Sequence, residues 1–599
     1  MSKRSLSPAI LPPSKRLHTT RITKPPPLQP LRFDNCLYDE LILYIFSYLS
    51  WVDLCISQPT NRNWARLTAD NELWRDLYLR TYGRTRLRGS KGFICRADGR
   101  EVKQLPGRAK SDRAKSDQLK DWKWMFRISS NWRKGRFFGI QFFRYFCLHL
   151  HSFVPGRCLA ESFTPGLPPS LHPNYDYKLE KESHIILAGS LIITAASSPS
   201  QNPTITITFP LNRQQCLTLK SSQQESVTIT SLALDQSPPI SGQMSLAGFL
   251  STGEFSVFKF NHTTPLDPLN KFSYKPPGPY SRAASPIIKA VYYHPLLITL
   301  SQSFSLCLYD LSSDLIRLTQ TLNSFTSYPP ASLVLSMQSR TTYKLVLAYA
   351  VPVYPGHWSV GATELIISRT STSLTNSSFI PSPAFYEEVN RTLSSSMRVI
   401  TTRTIRAVDV PLGWVDENKL RAMREQWSRK VSRVADAQSD GKWLVLAPGD
   451  EIQRCGHSSP ACLSSSSGSP SSDTSSSNSI SSSLHSPTGL QLYRLVLPAQ
   501  SNSVSASPPK LNFIRTLYGQ TSPVTALALA DGRCVSLGSN GSIWVWDLEG
   551  GTGAEVAPPN DSITTNDFNL LSTKDTVSFD ERQIVTAYAG KIVVRRFDI

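Results

Sequence analysis

The sequence predicts an α plus all-β protein: a small helical N-terminal segment, a linker with one more helix, and a large body of short strands. Three observations carry this. Apolar residues recur at helical spacing between Leu37 and Tyr82. From about residue 136 that period gives way to short apolar runs broken by Gly, Asn, Asp and Pro, the pattern of many strands and turns. Those runs fall into units that recur along the chain, which points to one repeat architecture rather than several unrelated domains. The expected layout is a Pro-rich basic tail at 1–30, a helical module at 31–83, a basic linker with a helix at 84–135, and the repeat body at 136–599.

The helical module begins with Asp39 and Glu40, acidic residues that favour a helix start through the macrodipole. Leu41, Ile42, Ile45, Phe46 and Leu49 follow at three- and four-residue spacing. Trp51–Leu54 opens a second short turn. Asn61 is a cap for a third helix carrying Trp64 and Leu67, and Pro59, tolerated only in a first turn, places its start near 59. Asp70 or Asn71 caps a fourth, carrying Leu73, Trp74, Leu77 and Tyr78, with Gly83 at its end. Helices this short are marginal alone and make a core that wants a partner.

The order L-x-D-E-L, I-F-S-Y-L, D-L, N-R-N-W and L-W resembles an F-box. Tyr38 stands where that family usually has Pro, and Pro59-Thr60 where it prefers a helical run ending in Val. The resemblance implies docking through an apolar helical face onto the small adaptor of a cullin-based SCF ubiquitin ligase. By position it assigns that contact to Leu37, Leu41, Ile45, Leu49, Trp64 and Trp74.

Between the helices and the strands, the pentapeptide RAKSD occurs twice in tandem, at 108–112 and 113–117, which an exposed loop tolerates best. In DWKWMFRISSNWRKGRFFG, Trp122, Met125, Phe126 and Ile128 suit a helix closed by Asn131-Trp132 and Gly135. The W-K…N-W-x-x-G element resembles the linker of F-box proteins of the WD-repeat class, which holds the F-box in a fixed orientation to the substrate domain.

The clearest repeat is Val524–Glu549, with strands at Val524–Leu529, Arg533–Leu537 and Ser542–Asp547 joined by Asp-Gly and Asn-Gly turns. It resembles a degenerate WD repeat: Trp546-Asp547 ends the third strand, Asn540 takes the place of an Asp, and Tyr518-Gly519-Gln520 replaces Gly-His. Echoes at 184–209, 227–260, 287–311, 333–368, 442–496 and 576–597 make seven candidate blades of a β-propeller. The last supplies only three strands, so the segment around Arg136–Phe143 is expected to add the fourth and clasp the ring. A pair of irregular β-sandwiches is the alternative. Ser464–Ser486 is an almost pure Ser insertion expected to be disordered. Gly413–Asp440 is helical in composition, with Leu420, Met423, Trp427, Val431 and Val434 on one face, and is expected to pack on the propeller rim or to form part of a partner surface.

The net charge of +20 sits at the front: residues 1–140 hold 28 Lys/Arg against 12 Asp/Glu, leaving 36 against 32 for residues 141–599. A basic front end suits nuclear import, nucleic acid or an acidic partner, or is simply a solvated linker. Lys3-Arg4 and Lys15-Arg16 are similar to a thin bipartite import signal, so nucleus and/or cytoplasm is expected. The ten cysteines form no C-x-x-C, and Cys307 and Cys534, inside apolar runs, read as core residues of a protein in a reducing compartment. No signal peptide pattern and no span of eighteen uncharged apolar residues argues for a membrane.

Phosphate-binding glycine motifs, the nucleophile elbow and H-E-x-x-H are all absent, and the histidines lack metal-ligand pairing. No catalytic residue, metal or cofactor is therefore expected. The resemblance implies a non-catalytic subunit that binds the SCF adaptor, and through it a cullin, and holds an unidentified protein substrate, phosphorylated or not, near the conjugating enzyme. The alternative is a nuclear propeller scaffold or nucleic-acid-associated protein without a ligase role. The basic segment lacks the interleaved aromatic residues of a nucleic-acid module, so nucleic acid is not expected. A hydrolase or lyase with its site in propeller loops is the third reading.

Overall fold

In the computed structural model, residues 37–82, 121–135, 138–139, 161–163 and most of 183–597 are described; the longer internal segments outside it are 262–269, 277–284, 371–395, 409–415, 450–487, 498–508 and 559–574. The basic tail, Gly83, the tandem RAKSD and the Ser-rich insertion at 464–486 all lie outside the described residues. The chain divides into two units, the first ending at Thr81 and the second beginning at Tyr82.

The first unit is built from α1 (Asp39–Phe46), α2 (Trp51–Ser57), α3 (Arg62–Leu67) and α4 (Asn71–Tyr82). Its caps follow the sequence. The Ser50 side chain accepts from the Asp53 N–H, Asn61 Oδ1 from the Trp64 N–H at 2.7 Å, and Asp70 Oδ1 from the Leu73 N–H at 3.0 Å. The third helix starts at Arg62 rather than near Pro59, because the Asn61 side chain takes the cap. Ile42, Phe46, Leu54, Leu67, Trp74 and Tyr78 form the core.

The second unit is a seven-bladed β-propeller of sequential antiparallel sheets. Blades 1 to 7 span 183–218, 229–274, 287–323, 328–406, 434–517, 524–557 and 576–596. The first strand of each blade touches the first strand of the next all the way round, including 576–579 against 183–188, so the ring is closed. The apolar core lies between neighbouring blades: Leu345 and Ile367 of blade 4 pack with Ile298 and Leu308 of blade 3, and Val445 and Leu492 of blade 5 with Leu529 and Trp546 of blade 6. A sheet covered on both faces needs no alternation, which is why Leu296–Ser301 and Trp443–Pro448 are buried at every position.

Ring closure uses more than the sequence announces. Residues 138–139 pair antiparallel with Arg595 and Arg596, as expected of the segment after Trp132, but 161–163 also pair with Ile592–Val594. Asn540-Gly541 makes the expected turn of blade 6, with Gly541 at φ +78°, a conformation L side chains resist. The Gly413–Asp440 expectation needs correction. Among the described residues of this stretch only α6 (Glu417–Trp427) is helical, and Val434–Ser439 is the first strand of blade 5. Val431 is drawn off the helix by a two-way backbone pairing with Trp358 of blade 4 (2.7 and 2.9 Å). Cys534 is fully buried as expected, and burial pushes its thiol up; Cys307 is only half-buried.

Candidate functional site

The apolar residues of α1 separate into two stripes one position apart. Ile42 and Phe46 point into the unit, and Phe46 meets Trp64 edge-on at 5.4 Å between ring centroids. Leu41 and Ile45 point outward, 48% and 43% exposed. A helix advances about 100° per residue, so neighbouring apolar positions can face opposite ways. Of the six expected docking residues, Leu41 and Ile45 are on the surface, and Leu37, Leu49 and Trp64 are half-buried. Trp74 is a core residue: it is 2% exposed, and its indole N–H donates to the Thr68 carbonyl at 2.7 Å.

The surface stripe extends further than sequence position suggests. Tyr38, Tyr44, Tyr48, Val52 and Ile56 are 42–80% exposed. Leu41, Tyr44, Ile45 and Tyr48 follow helical spacing through α1 and the turn after it, a second period hidden under the first because nearly every residue of LILYIF is apolar, while Val52 and Ile56 belong to α2, beyond the extended Ser50. The Tyr48 hydroxyl donates to that of Tyr44 at 2.7 Å, and their rings meet edge-on. A contiguous apolar face on a small unit marks an association surface.

In the propeller, α5 (Trp122–Lys134) is the helix expected of the linker, capped by Asp121 and ended by Gly135 in the left-handed conformation. It docks on blades 6 and 7. Trp132 stacks on Phe597 at 4.1 Å, with the Arg533 guanidinium over its ring, and the Asn131 side-chain amide donates to the Phe597 carbonyl at 3.2 Å. Arg582, in the first turn of blade 7, lies over Trp124. The helix therefore occupies the face formed by the blades' first turns. On that face buried carboxylates tie blade to blade. Asp440 accepts from the N–H groups of Lys442, Trp443 and, across the interface, Gly532, while Asp235 accepts from that of His294.

Trp546 and Asp547 end the third strand of blade 6. The Trp546 indole donates to Ser536 Oγ at 2.9 Å, Ser536 donates to Gln520 Oε1 at 2.8 Å, and the Gln520 amide donates to Ser542 Oγ at 2.9 Å. Gln520 thus links two hydroxyls from the place of the expected His, an inner polar chain that holds the blade's strands. Asp547 accepts from the Gly550 N–H and shapes the following turn. Among the described residues no group of His, Cys, Asp or Glu is arranged to hold a metal, and no helix is long and apolar enough to cross a membrane.

A four-helix unit with an outward apolar stripe, followed by a linker helix docked on a seven-bladed ring, defines the class of F-box proteins that carry a propeller. Residues 39–80 match the F-box-like family, and residues 210–576 match the family described as F-box protein pof12 beta-propeller. The second match covers more than half of the chain, and the chain belongs to that family. No curated protein matches the chain. Among solved structures it is similar to the β-propeller domain of Myceliophteria thermophila Cps50 (Swd1), at 9% identity over 73% of this chain and 99% of that one, TM-score 0.34. It is also similar to the WD40 β-propeller domain of Doa1, at 10% identity over 69% and 93%, TM-score 0.31.

Proposed function

We propose that this protein is the substrate-recognition subunit of an SCF-type ubiquitin ligase, its helical unit docking on the adaptor and its propeller holding a protein substrate. The observation that carries the reading is the exposed stripe of Leu41, Tyr44, Ile45, Tyr48 and Val52 on a unit whose core is otherwise complete. Its role is non-catalytic: it brings a substrate lysine near a charged conjugating enzyme, raising their effective concentration. The basic pairs Lys3-Arg4 and Lys15-Arg16 support a nuclear as well as a cytoplasmic location, which a reporter fused to residues 1–30 with and without those pairs would test.

The test of the ligase role is a pull-down of the full chain with the adaptor beside Leu41→Ala/Ile45→Ala. Each truncated side chain should cost about 2 kcal/mol of binding if it sits at the centre of the contact. Adaptor binding by the intact chain that vanishes in the folded double variant supports the role; no binding by the intact chain removes it.

A further inference from the structure

Blade 4 is built differently from the other blades. Its middle strands, Thr342–Tyr354 and His357–Thr370, run to 13 and 14 residues, against 6 and 5 for their counterparts Arg533–Gly538 and Ile543–Asp547 in blade 6. The extra length raises the hairpin of blade 4 on the face opposite α5. The connector from blade 4 to blade 5 is attached to it by the Trp358–Val431 pairing. That connector carries α6, on which no residue is buried and Leu420 is 41% exposed.

Aromatic and cationic groups meet at this place. Phe325 is 88% exposed and Tyr328 41%. Tyr328 meets Trp358 edge-on at 5.5 Å, and Arg406 donates to the Thr326 hydroxyl between them. The segments 325–328, 357–358, 403–406 and 427–433 contain Arg403, Arg406, Arg429, Lys430 and Arg433 and no Asp or Glu. Arg403 lies 3.7 Å from Glu364, and Arg429 pairs with Glu425, both carboxylates from outside these segments. Trp358 and Ile405 rest on the apolar core between blades 4 and 5, so the strip has a fixed base.

We propose that this strip binds an acidic, unstructured segment of the substrate, with an aromatic or aliphatic side chain against Phe325 and Tyr328 and its carboxylates toward Arg406 and Arg433. The inference rests on the receptor reading above and names the chemistry that receptor selects. The charge excess favours an anionic partner. The aromatic rings favour an apolar anchor at its centre. A single-stranded nucleic acid is held by successive bases stacked on several rings, whereas Phe325 alone of the three rings is largely exposed and Tyr328 and Trp358 meet edge-on, which favours a peptide.

The experiment is selection from a random peptide display library with the full chain, followed by titration of recovered peptides against wild type and against Phe325→Ala/Arg433→Glu. Both side chains are exposed, so the double variant keeps the fold. Recovered peptides should be enriched in Asp and Glu around a Phe, Trp or Leu, and should bind the variant at least tenfold more weakly, while adaptor binding stays unchanged. Recovery without acidic enrichment, equal affinity for the variant, or displacement of the peptide by a single-stranded oligonucleotide at lower concentration overturns the proposal. Failed peptide recovery with intact adaptor binding removes this surface alone. Intact recovery without adaptor binding removes the ligase role and leaves the surface standing.

Discussion

The helical unit and blade 6 use the same kinds of side chain to opposite ends. In α1 and α2 the stripe from Leu41 to Ile56 is turned outward, whereas in blade 6 Leu529, Cys534, Val535 and Trp546 are at most 2% exposed. Apolar surface contributes where it leaves water. In blade 6 it has done so within the chain, and it contributes to folding. In the helical unit the outward stripe contributes nothing until another molecule covers it. Stability and association should therefore respond separately to substitutions of similar size in the two regions.

The sharpest break of the comparison is Trp546→Ala, which empties a buried site and leaves Ser536 without its donor. It should cost about 3–5 kcal/mol and lower the thermal midpoint, read by calorimetry. Trp546→Phe keeps the ring but not the N–H and should cost less, about 1–3 kcal/mol. Equal losses would mean that the indole hydrogen bond, not packing, holds the blade. Gly538→Ala comes next. A Cβ there would collide with Gln520 Nε2 and Ser542 Oγ of the inner polar chain and with Ser522 Oγ, which donates to Asn540 Oδ1. A loss of about 1–3 kcal/mol is expected, and an unchanged denaturation midpoint would show the network to be slack.

Asp440→Asn tests the ties between blades. Asn retains one acceptor oxygen and should lose the Gly532 bond, costing about 1–3 kcal/mol. Burial pushes the Asp440 carboxyl above the usual carboxylate range, with the backbone donors pulling it back. The folded state then holds that proton more tightly than the unfolded one, so this contribution is present at low pH and is lost as pH rises through the folded value. The gap between wild type and variant should narrow from acid toward neutral pH in urea midpoints; a widening gap would reverse the sign assigned here. The smallest stability effect belongs to Leu41→Ala/Ile45→Ala, within about 0.5 kcal/mol for exposed positions, although the proposed function expects this variant to lose adaptor binding. A large fall in melting temperature would instead make these residues part of the core.

The fold was legible where the signal is local. Asn-Gly and Asp-Gly turns located blade 6, recurring short apolar runs located the other six, and Asn61 and Asp70 located helix starts. What stayed hidden depends on distant partners. Val431 and Val434 continue the apolar period of α6, and only a lone bridge to Trp358 for Val431 and pairing with Trp443–Pro448 of blade 5 for Val434 draw them off it. Trp74 and Leu41 are both apolar residues of short helices, and nothing local says which one turns inward. The pairing of 161–163 with the last strand leaves no mark in its own sequence. Gln520 differs from the His of a WD repeat, yet its amide bonds two hydroxyls, a property visible only once Ser536 and Ser542 are placed.

The clasp between the linker and the last blade has a consequence for synthesis. Asn131 and Phe597, joined by a hydrogen bond, are 466 positions apart. At about 5–20 residues per second, translation separates their emergence from the ribosome by roughly 25–90 s. For that interval Trp132 of α5 exists without the Phe579 and Phe597 rings that cover it. The nascent chain therefore offers molecular chaperones an uncovered indole for most of its translation, and the ring can be sealed only when the last strand arrives.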